Sequence, residues 1–185
     1  FTHDPAVELA EKLCALTGLD KVFYADNGSS AVEVALKMSY HYWQNIGQTQ
    51  KHQFISLANS YHGETLGALA VGDVPLYKQT YGRLLMDCLV APSPDAYDVP
   101  AGENAQAAAA RAIAAMRELL TQHHTQTCAV IIEPLVQCAG GMRMYHASYL
   151  TQLRALCDEF KVHLIADEIA VGFGRAGTRF ACEQG

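Results

Sequence analysis

The stretch HLIADEIAVGFGRAG, residues 163–177, begins as an apolar run, passes through two adjacent carboxylates and ends in a glycine-rich loop. His163, Leu164, Ile165 and Ala166 lead up to Asp167, so its carboxylate emerges from the core of a sheet. An ionised group is costly there unless a cation or several donors meet it. A structural salt bridge satisfies the aspartate as well as a ligand does. What decides between them is the company that Asp167 keeps at the ends of the other strands.

Outward from that stretch the chain alternates between two patterns. HDPAVELAEKLCALTG, residues 3–18, has Asp4 as N-cap candidate, proline at the first helical position, apolar residues at helical spacing and Gly18 as the stop. KVFYAD (21–26) is a short β-rich run, expected to be a strand. NGSS turns the chain into AVEVALKMSYHYW, whose Val32, Ala35, Leu36, Tyr40 and Trp43 recur at roughly 3.6 residues. QFISLA and DCLVAP are further strands, and the alanine-rich run from Asn104 to His124 is a long helix of high intrinsic propensity. CAVIIEP is a continuous apolar strand, ASYLTQLRALCDEF a helix capped by Ser148, and VHLIAD a last buried strand. Strands apolar on both faces, alternating with helices, imply a layered α/β domain around a mostly parallel sheet. The proline-rich APSPDAYDVPAGE reads as one long surface loop inside it, and no internal repeat interrupts the pattern.

In such sheets ligands sit beyond the carboxyl ends of the strands. Four stretches there carry polar or glycine-rich chemistry. In DNGSSAVE, Gly28, Ser29 and Ser30 open a helix and can offer N–H groups, hydroxyls and the positive dipole end to a phosphate, although glycine and serine before a helix also make a plain cap. In ANSYHGETLGALA, Tyr61 beside His62 and Gly63 lets a ring lie flat over a planar ligand; the alternative is a turn with one packed tyrosine. In IIEPLVQCAGGM, Glu133 either orients a ligand or bonds loop amides, the latter slightly favoured, and Gln137 is equally open. The fourth is Asp167. A phosphate-type helix start, an aromatic platform and a partly buried anion together meet the demands of pyridoxal phosphate: a seat for the phosphate, a face for the ring, and a carboxylate that keeps the pyridine nitrogen protonated.

Composition narrows the alternatives. With 185 residues, half of them hydrophobic and 17% charged, the chain has enough apolar material for one globular domain. A net charge of −6 with no basic run argues against nucleic acid or an anionic membrane surface and for a small-molecule partner. The eight histidines show no ligand-like spacing, so no metal site is expected. The cysteines at 14, 88, 128, 138, 157 and 182 contain no C-x-x-C pair and sit in apolar contexts, as reduced cytoplasmic thiols do. No apolar run reaches the ~18 residues of a membrane span. No G-x-G-x-x-G follows the first strand, which weakens a nucleotide-binding reading. The start at Phe1 and the end at Gly185, just after RFACEQG, lead us to expect a piece of something longer.

The runs DNGSSAVEVALKMSYHYW, SYHGETLGALAVGD, IIEPLVQCAGGMRMYH and LIADEIAVGFGRAGTRFACEQ, with the opening FTHDPAVELAEKL, resemble the class III, fold-type I aminotransferases over essentially the whole chain. The resemblance implies the three-layer α/β large domain of a pyridoxal-phosphate-dependent transferase, of which residues 1–185 form the central part, without the N-terminal segment and the C-terminal small domain. It implies that Gly28, Ser29 and Ser30 bind the cofactor phosphate, that Tyr61 stacks on the ring and borders the substrate, that His62 and Gly63 complete that motif, that Glu133 is a supporting carboxylate, and that Asp167 pairs with the pyridinium nitrogen. Ala170 stands where many relatives acting on ornithine or 4-aminobutyrate have glutamine, as in the biotin-pathway branch. That branch implies 8-amino-7-oxononanoate as amino acceptor, S-adenosyl-L-methionine as the donor, and a cytoplasmic homodimer. Other ω-amino acid substrates, or a binding module without chemistry, are the alternatives. Ala176, Ala147 and Val171 depart from the family's commoner threonine, proline and threonine, at loop positions.

The family's catalytic lysine is expected beyond Gly185, so no catalytic residue falls within the chain. None of Lys12, Lys21, Lys37, Lys51, Lys78 or Lys161 matches it. Lys161 starts the strand whose far end carries Asp167, and extended steps of ~3.3 Å keep the two apart.

Overall fold

A computed structural model describes residues 2–185. Helix α1 (Asp4–Thr17) is followed by α2 (Gly28–Asn45), strand β1 (Gln53–Leu57), two short helices α3 (Leu66–Ala70) and α4 (Pro75–Lys78), and β2 (Leu89–Ala91). Then come α5 (Ala105–His123), β3 (Thr127–Ile132), the two-residue strands β4 (Val136–Gln137) and β5 (Arg143–Met144), α6 (Ser148–Phe160) and β6 (His163–Ala166). A turn of 3₁₀ helix over Ala181–Gln184 closes the described residues.

The main sheet runs β2-β1-β3-β6, and each pairing in it is parallel. Successive side chains of a strand face opposite layers, and here the two layers are both helical. Ile55, Leu57, Val130 and Ile132 pack with Ala109, Met116 and Leu120 of α5 and with Tyr149 and Leu153 of α6. Phe54, Ala129 and Ile131 pack on the other side with Val32, Leu36 and Trp43 of α2 and with Ala68 and Val71. This is the expected three-layer arrangement. It explains why TCAVII carries no polar alternation, since β3 is buried along its entire length.

Several local expectations give way to the structure. Residues 21–26 form no strand, because β propensity without a neighbouring strand leaves the backbone unpaired; Tyr24 instead ties this segment to α1 by donating its hydroxyl to the Ala6 carbonyl at 2.6 Å. The cap of α1 is His3, not Asp4: the His3 ring nitrogen accepts the Ala6 amide. Gly18 does end the helix, in the left-handed region at φ 71°. Ser148 does not cap α6, and its hydroxyl bonds the ring of His146 at 2.8 Å. On α2, Ser39 joins Val32, Leu36 and Trp43 in the buried face, while Tyr40 is 44% exposed.

At the N-terminal ends of the strands a buried lysine joins the layers. Lys51 Nζ donates to the carbonyls of His124 (2.8 Å), Thr127 (2.8 Å) and Lys161 (3.0 Å), and lies 4.3 Å from the Trp43 ring centre. His124 and Lys161 are the C-caps of α5 and α6, so one ammonium meets the negative ends of two helix dipoles. His163, stacked 4.6 Å from Trp43 and bonded to Ser39 Oγ at 2.8 Å, completes this cluster. The C-terminal ends of the same strands face the other way, and the motif residues collect there.

Candidate functional site

Four chain segments converge at the C-terminal ends of β1, β3 and β6. The parallel ladder carries Asp167 beyond the last pair of β3 and β6, Ile132 with Ala166, and its amide still donates to the Ile132 carbonyl at 2.8 Å. Its side chain is 8% exposed, and the ring of His62, fully buried, places Nδ1 at 2.8 Å from Asp167 Oδ2. Asp167 Oδ1 accepts the Ile169 amide at 3.2 Å.

His62 Nε2 is buried and has no hydrogen-bond partner. The carboxylate oxygen facing Nδ1 can only accept, so His62 carries hydrogen on Nδ1 and donates to Asp167. His62 therefore stands behind the aspartate and orients it, with its other nitrogen a bare acceptor. The sequence placed His62 in the motif without showing this partner, 105 positions away.

Glu133 is buried at the end of β3 and anchors the loop that follows β1. Its Oε2 accepts the Tyr61 amide and its Oε1 the Cys138 amide, both at 3.0 Å. Burial pushes its carboxyl above the usual carboxylate range, while these two amide bonds and nearby His62 pull it back. Of the two roles open in the sequence, the loop-bonding one is realised. Gln137 also folds loops: its amide donates to the Ala58 carbonyl at 2.8 Å and its oxygen accepts the Ser93 hydroxyl at 2.5 Å.

The start of α2 meets the Tyr61–Gly63 loop directly. Ser29 Oγ accepts the Glu64 amide at 3.1 Å. Gly63 sits at φ +124°, and a Cβ there would overlap Ser29 Oγ, so glycine is what permits the close approach. Ser30 spends its amide on the cap, donating to Asn27 Oδ1 at 3.0 Å. Asn27 went unassigned in the sequence, although an asparagine ahead of Gly-Ser-Ser is the signal of such a cap. The amide of Ser30 is thus taken, and the dipole and first turn of an 18-residue helix remain directed at the site. Tyr61 is half-buried, its hydroxyl 3.2 Å from Glu64 Oε1 and its ring 5.3 Å from that of Tyr77. Burial, then Glu64, raises its hydroxyl pKa. Between the start of α2 and the end of β6 lies a hollow of about 400 Å³, bordered by Gly28, Val32, Asp167, Ile169 and Phe173.

The family profile described as "Aminotransferase class-III" matches residues 1–185. The chain belongs to the class III aminotransferases. It is 51% identical over 186 residues to the adenosylmethionine-8-amino-7-oxononanoate aminotransferase of Helicobacter pylori, an alignment covering 100% of this chain and 40% of that protein. Its identity to the enzyme of the same name from Geobacter sulfurreducens is 43%, over 98% of the chain and 41% of the relative. Among solved structures, an amine transaminase of an uncultivated Pseudomonas species in its PLP-bound form superposes at TM-score 0.92 with 35% identity, covering 98% of this chain and 42% of that one. The adenosylmethionine-8-amino-7-oxononanoate aminotransferase of Methanocaldococcus jannaschii superposes at 0.88 with 34% identity, over 99% and 39%. The chain thus spans about 40% of the length of the relatives it matches.

Within this class III aminotransferase chain His62 meets Asp167 and Gly63 meets Ser29 across the strand ends, Gly28 and Ser30 flank Ser29 in the first turn of α2, and Glu133 holds the Tyr61 amide. Lys51 and Lys161, which do not match the family's lysine, lie at the opposite end of the strands. Among the described residues no group of His, Cys, Asp or Glu is arranged to hold a metal, and no helix is long and apolar enough to cross a membrane.

Proposed function

We propose that this class III aminotransferase chain binds pyridoxal 5'-phosphate at the strand ends and forms the central part of the cofactor-binding domain of an enzyme that transfers an amino group to 8-amino-7-oxononanoate from S-adenosyl-L-methionine. The observation that carries the reading is the Asp167 carboxylate, nearly buried, held by His62 and faced by the first turn of α2. The residues suit the group chemically: a helix start for a phosphate, an anion for a pyridinium nitrogen, and an aromatic ring beside a glycine for the planar face.

When bound, the cofactor supplies an electron sink through its protonated ring. The protein's part is binding and orientation. Asp167 accepts the ring N–H and keeps that proton in place, because an opposite charge at hydrogen-bond distance favours the charged form. His62 fixes the carboxylate and spends its one donor on it. Tyr61 covers the ring and borders the substrate, and Glu133 holds the Tyr61 backbone. Gly28, Ser29 and Ser30 form the phosphate end.

The acceptor and donor are supported by the names of relatives at 41–51% identity. The six unpaired thiols support a reducing, cytoplasmic setting. Exposed Ile169, Phe173, Met142 and Met144 are the sort of surface that a homodimer covers. A second reading, an amine transaminase of other substrate range, draws support from the TM-score of 0.92 to the Pseudomonas enzyme. The deciding experiment supplies the enzyme whose cofactor-binding domain this chain forms, catalytic lysine included, with pyridoxal phosphate and 8-amino-7-oxononanoate, and compares S-adenosyl-L-methionine with simple amines and ω-amino acids as donors, following the diamine product by mass spectrometry. Formation of 7,8-diaminononanoate from S-adenosyl-L-methionine supports the first reading. Turnover of simple amines with no diamine formed supports the second.

A further inference from the structure

Tyr61 is tied down at both ends. Its amide donates to Glu133 Oε2 at 3.0 Å, and its hydroxyl donates to Glu64 Oε1 at 3.2 Å. These two bonds define the axis of the ring, from the backbone to the hydroxyl. Rotation about that axis stays open, because the χ2 torsion of a tyrosine is broad. That rotation decides whether the ring turns a face or an edge to a neighbouring planar group. What meets the ring itself is Tyr77, with centres 5.3 Å apart and planes tilted by 59°. Among the described residues Tyr61 is the one aromatic ring paired with Tyr77, and Tyr77 is half-buried, outside both hydrophobic clusters that hold the layers together.

Tyr77 is mounted, through two short helices, on the helix that opens the site. It lies in α4, a four-residue turn that starts at Pro75. The neighbouring Lys78 sends Nζ to the carbonyls of Ala70 at 3.1 Å and Gly72 at 2.8 Å, which ties α4 to the end of α3. The start of α3 is tied in turn to α2, where Glu33 Oε1 accepts the Gly67 amide at 2.6 Å and the Ala68 amide at 3.3 Å. A carboxylate thus stands at the positive end of α3 and an ammonium at its negative end. A Cβ at Gly67 would overlap the Glu33 carboxylate, so glycine is what lets α3 come this close. The Tyr77 ring is therefore braced against α2, whose first turn faces Asp167.

We infer that Tyr77 is a positioning residue: it sets the rotation of the Tyr61 ring, and so the face that Tyr61 offers to a planar ligand. The inference rests on the pyridoxal phosphate reading, in which Tyr61 covers the cofactor ring. Aromatic pairs of this geometry change an equilibrium by about three- to tenfold.

The test places Tyr77→Leu, Tyr77→Phe, Tyr61→Leu and the double variant Tyr61→Leu/Tyr77→Leu in the enzyme whose cofactor-binding domain this chain forms. Each is titrated with pyridoxal phosphate, and the circular dichroism of the bound cofactor, which reports the asymmetry of its surroundings, is recorded in the cofactor's own absorption band. Tyr77→Leu weakens binding about threefold and lowers that signal. Tyr77→Phe, which keeps the ring, restores both. In the Tyr61→Leu background Tyr77→Leu adds nothing to either loss, a coupling that a merely structural role does not produce. If Tyr77→Leu fails to fold, Lys78→Met, which frees α4 and keeps the ring, is read in its place with the same losses expected. Wild-type affinity and signal in that variant, a Tyr77→Phe as weak as Tyr77→Leu, or a further full loss in the Tyr61→Leu background overturns the inference and leaves the cofactor reading standing. Unchanged affinity and signal in Tyr61→Leu refutes the stacking role of Tyr61 in that reading, and the inference with it.

Discussion

His62 Nδ1 stands 2.8 Å from Asp167 Oδ2, joining the loop after β1 to the end of β6 across 105 positions of sequence. The bond accounts for a buried histidine whose other nitrogen has no partner, and for a carboxylate that leaves a sheet core and still has a donor. Each member answers for the cost of the other.

Removing the histidine therefore exposes the cost. His62→Ala leaves one Asp167 oxygen without its donor and opens a void, for a loss of about 2–4 kcal/mol in chemical denaturation. His62→Gln, which can present an N–H to Asp167, recovers part of it. Equal stability of all three proteins would sink the pairing.

Gly63→Ala brings two penalties together: a left-handed φ of +124° and a Cβ overlapping Ser29. The backbone term alone is about 1–3 kcal/mol. The double variant Ser29→Ala/Gly63→Ala is expected to stay destabilised, because the Ser29 backbone lies 2.9 Å from the new Cβ. Denaturation midpoints of the two variants and of the unchanged protein check both points.

The cluster beneath the sheet predicts a pH dependence. Burial first, then Lys51 and Arg154, holds the His163 pKa below its ordinary 6.5; Ser39, Tyr42 and Trp43 of α2 also face the ring. The unfolded chain then takes up the proton more readily than the folded one. Stability from this group is fully present above about pH 6.5 and is lost as pH falls below that value. Denaturation followed by fluorescence of Trp43, the sole tryptophan, is expected to show a steeper fall between pH 7 and pH 5 in the wild type than in His163→Gln. Parallel curves would exclude His163 as the source.

Thiol chemistry separates the cysteines by burial. Cys157 is pushed up to about 12 and Cys128 to about 11, in both cases chiefly by desolvation. Both side chains are buried, so a maleimide at neutral pH is expected to label them only on unfolding. Mass spectrometry of the native, labelled protein tests this directly.

The parts of the fold legible in the sequence are those whose signal is local and repeated. The apolar run of β3, the helical spacing of α1 and α2 and the glycine stop at Gly18 each declare themselves within one element. The strand ends, and with them Asp167, Glu133 and Tyr61, follow from that frame and from the family resemblance. What stayed hidden depends on partners far along the chain. Residues 21–26 have strand propensity but no neighbouring strand. His3 rather than Asp4 caps α1, because capping turns on backbone geometry at one position. Lys51 reads as an ordinary surface lysine until three carbonyls from His124, Thr127 and Lys161 converge on it. Glu168 looks like a second site carboxylate until its acceptors are seen to serve the amides of Ala181 and Cys182.

The most direct test of the central claim is a pyridoxal phosphate titration of the protein and of Asp167→Asn, followed by the cofactor's absorbance. Asparagine keeps an oxygen for His62 and removes the charge that holds the ring proton, while its NH2 group replaces the oxygen that accepts the Ile169 amide. The account predicts a folded protein destabilised by about 1 kcal/mol and binding weakened at least about tenfold, in line with the loss of one charge-assisted bond. Undiminished affinity in Asp167→Asn would contradict it.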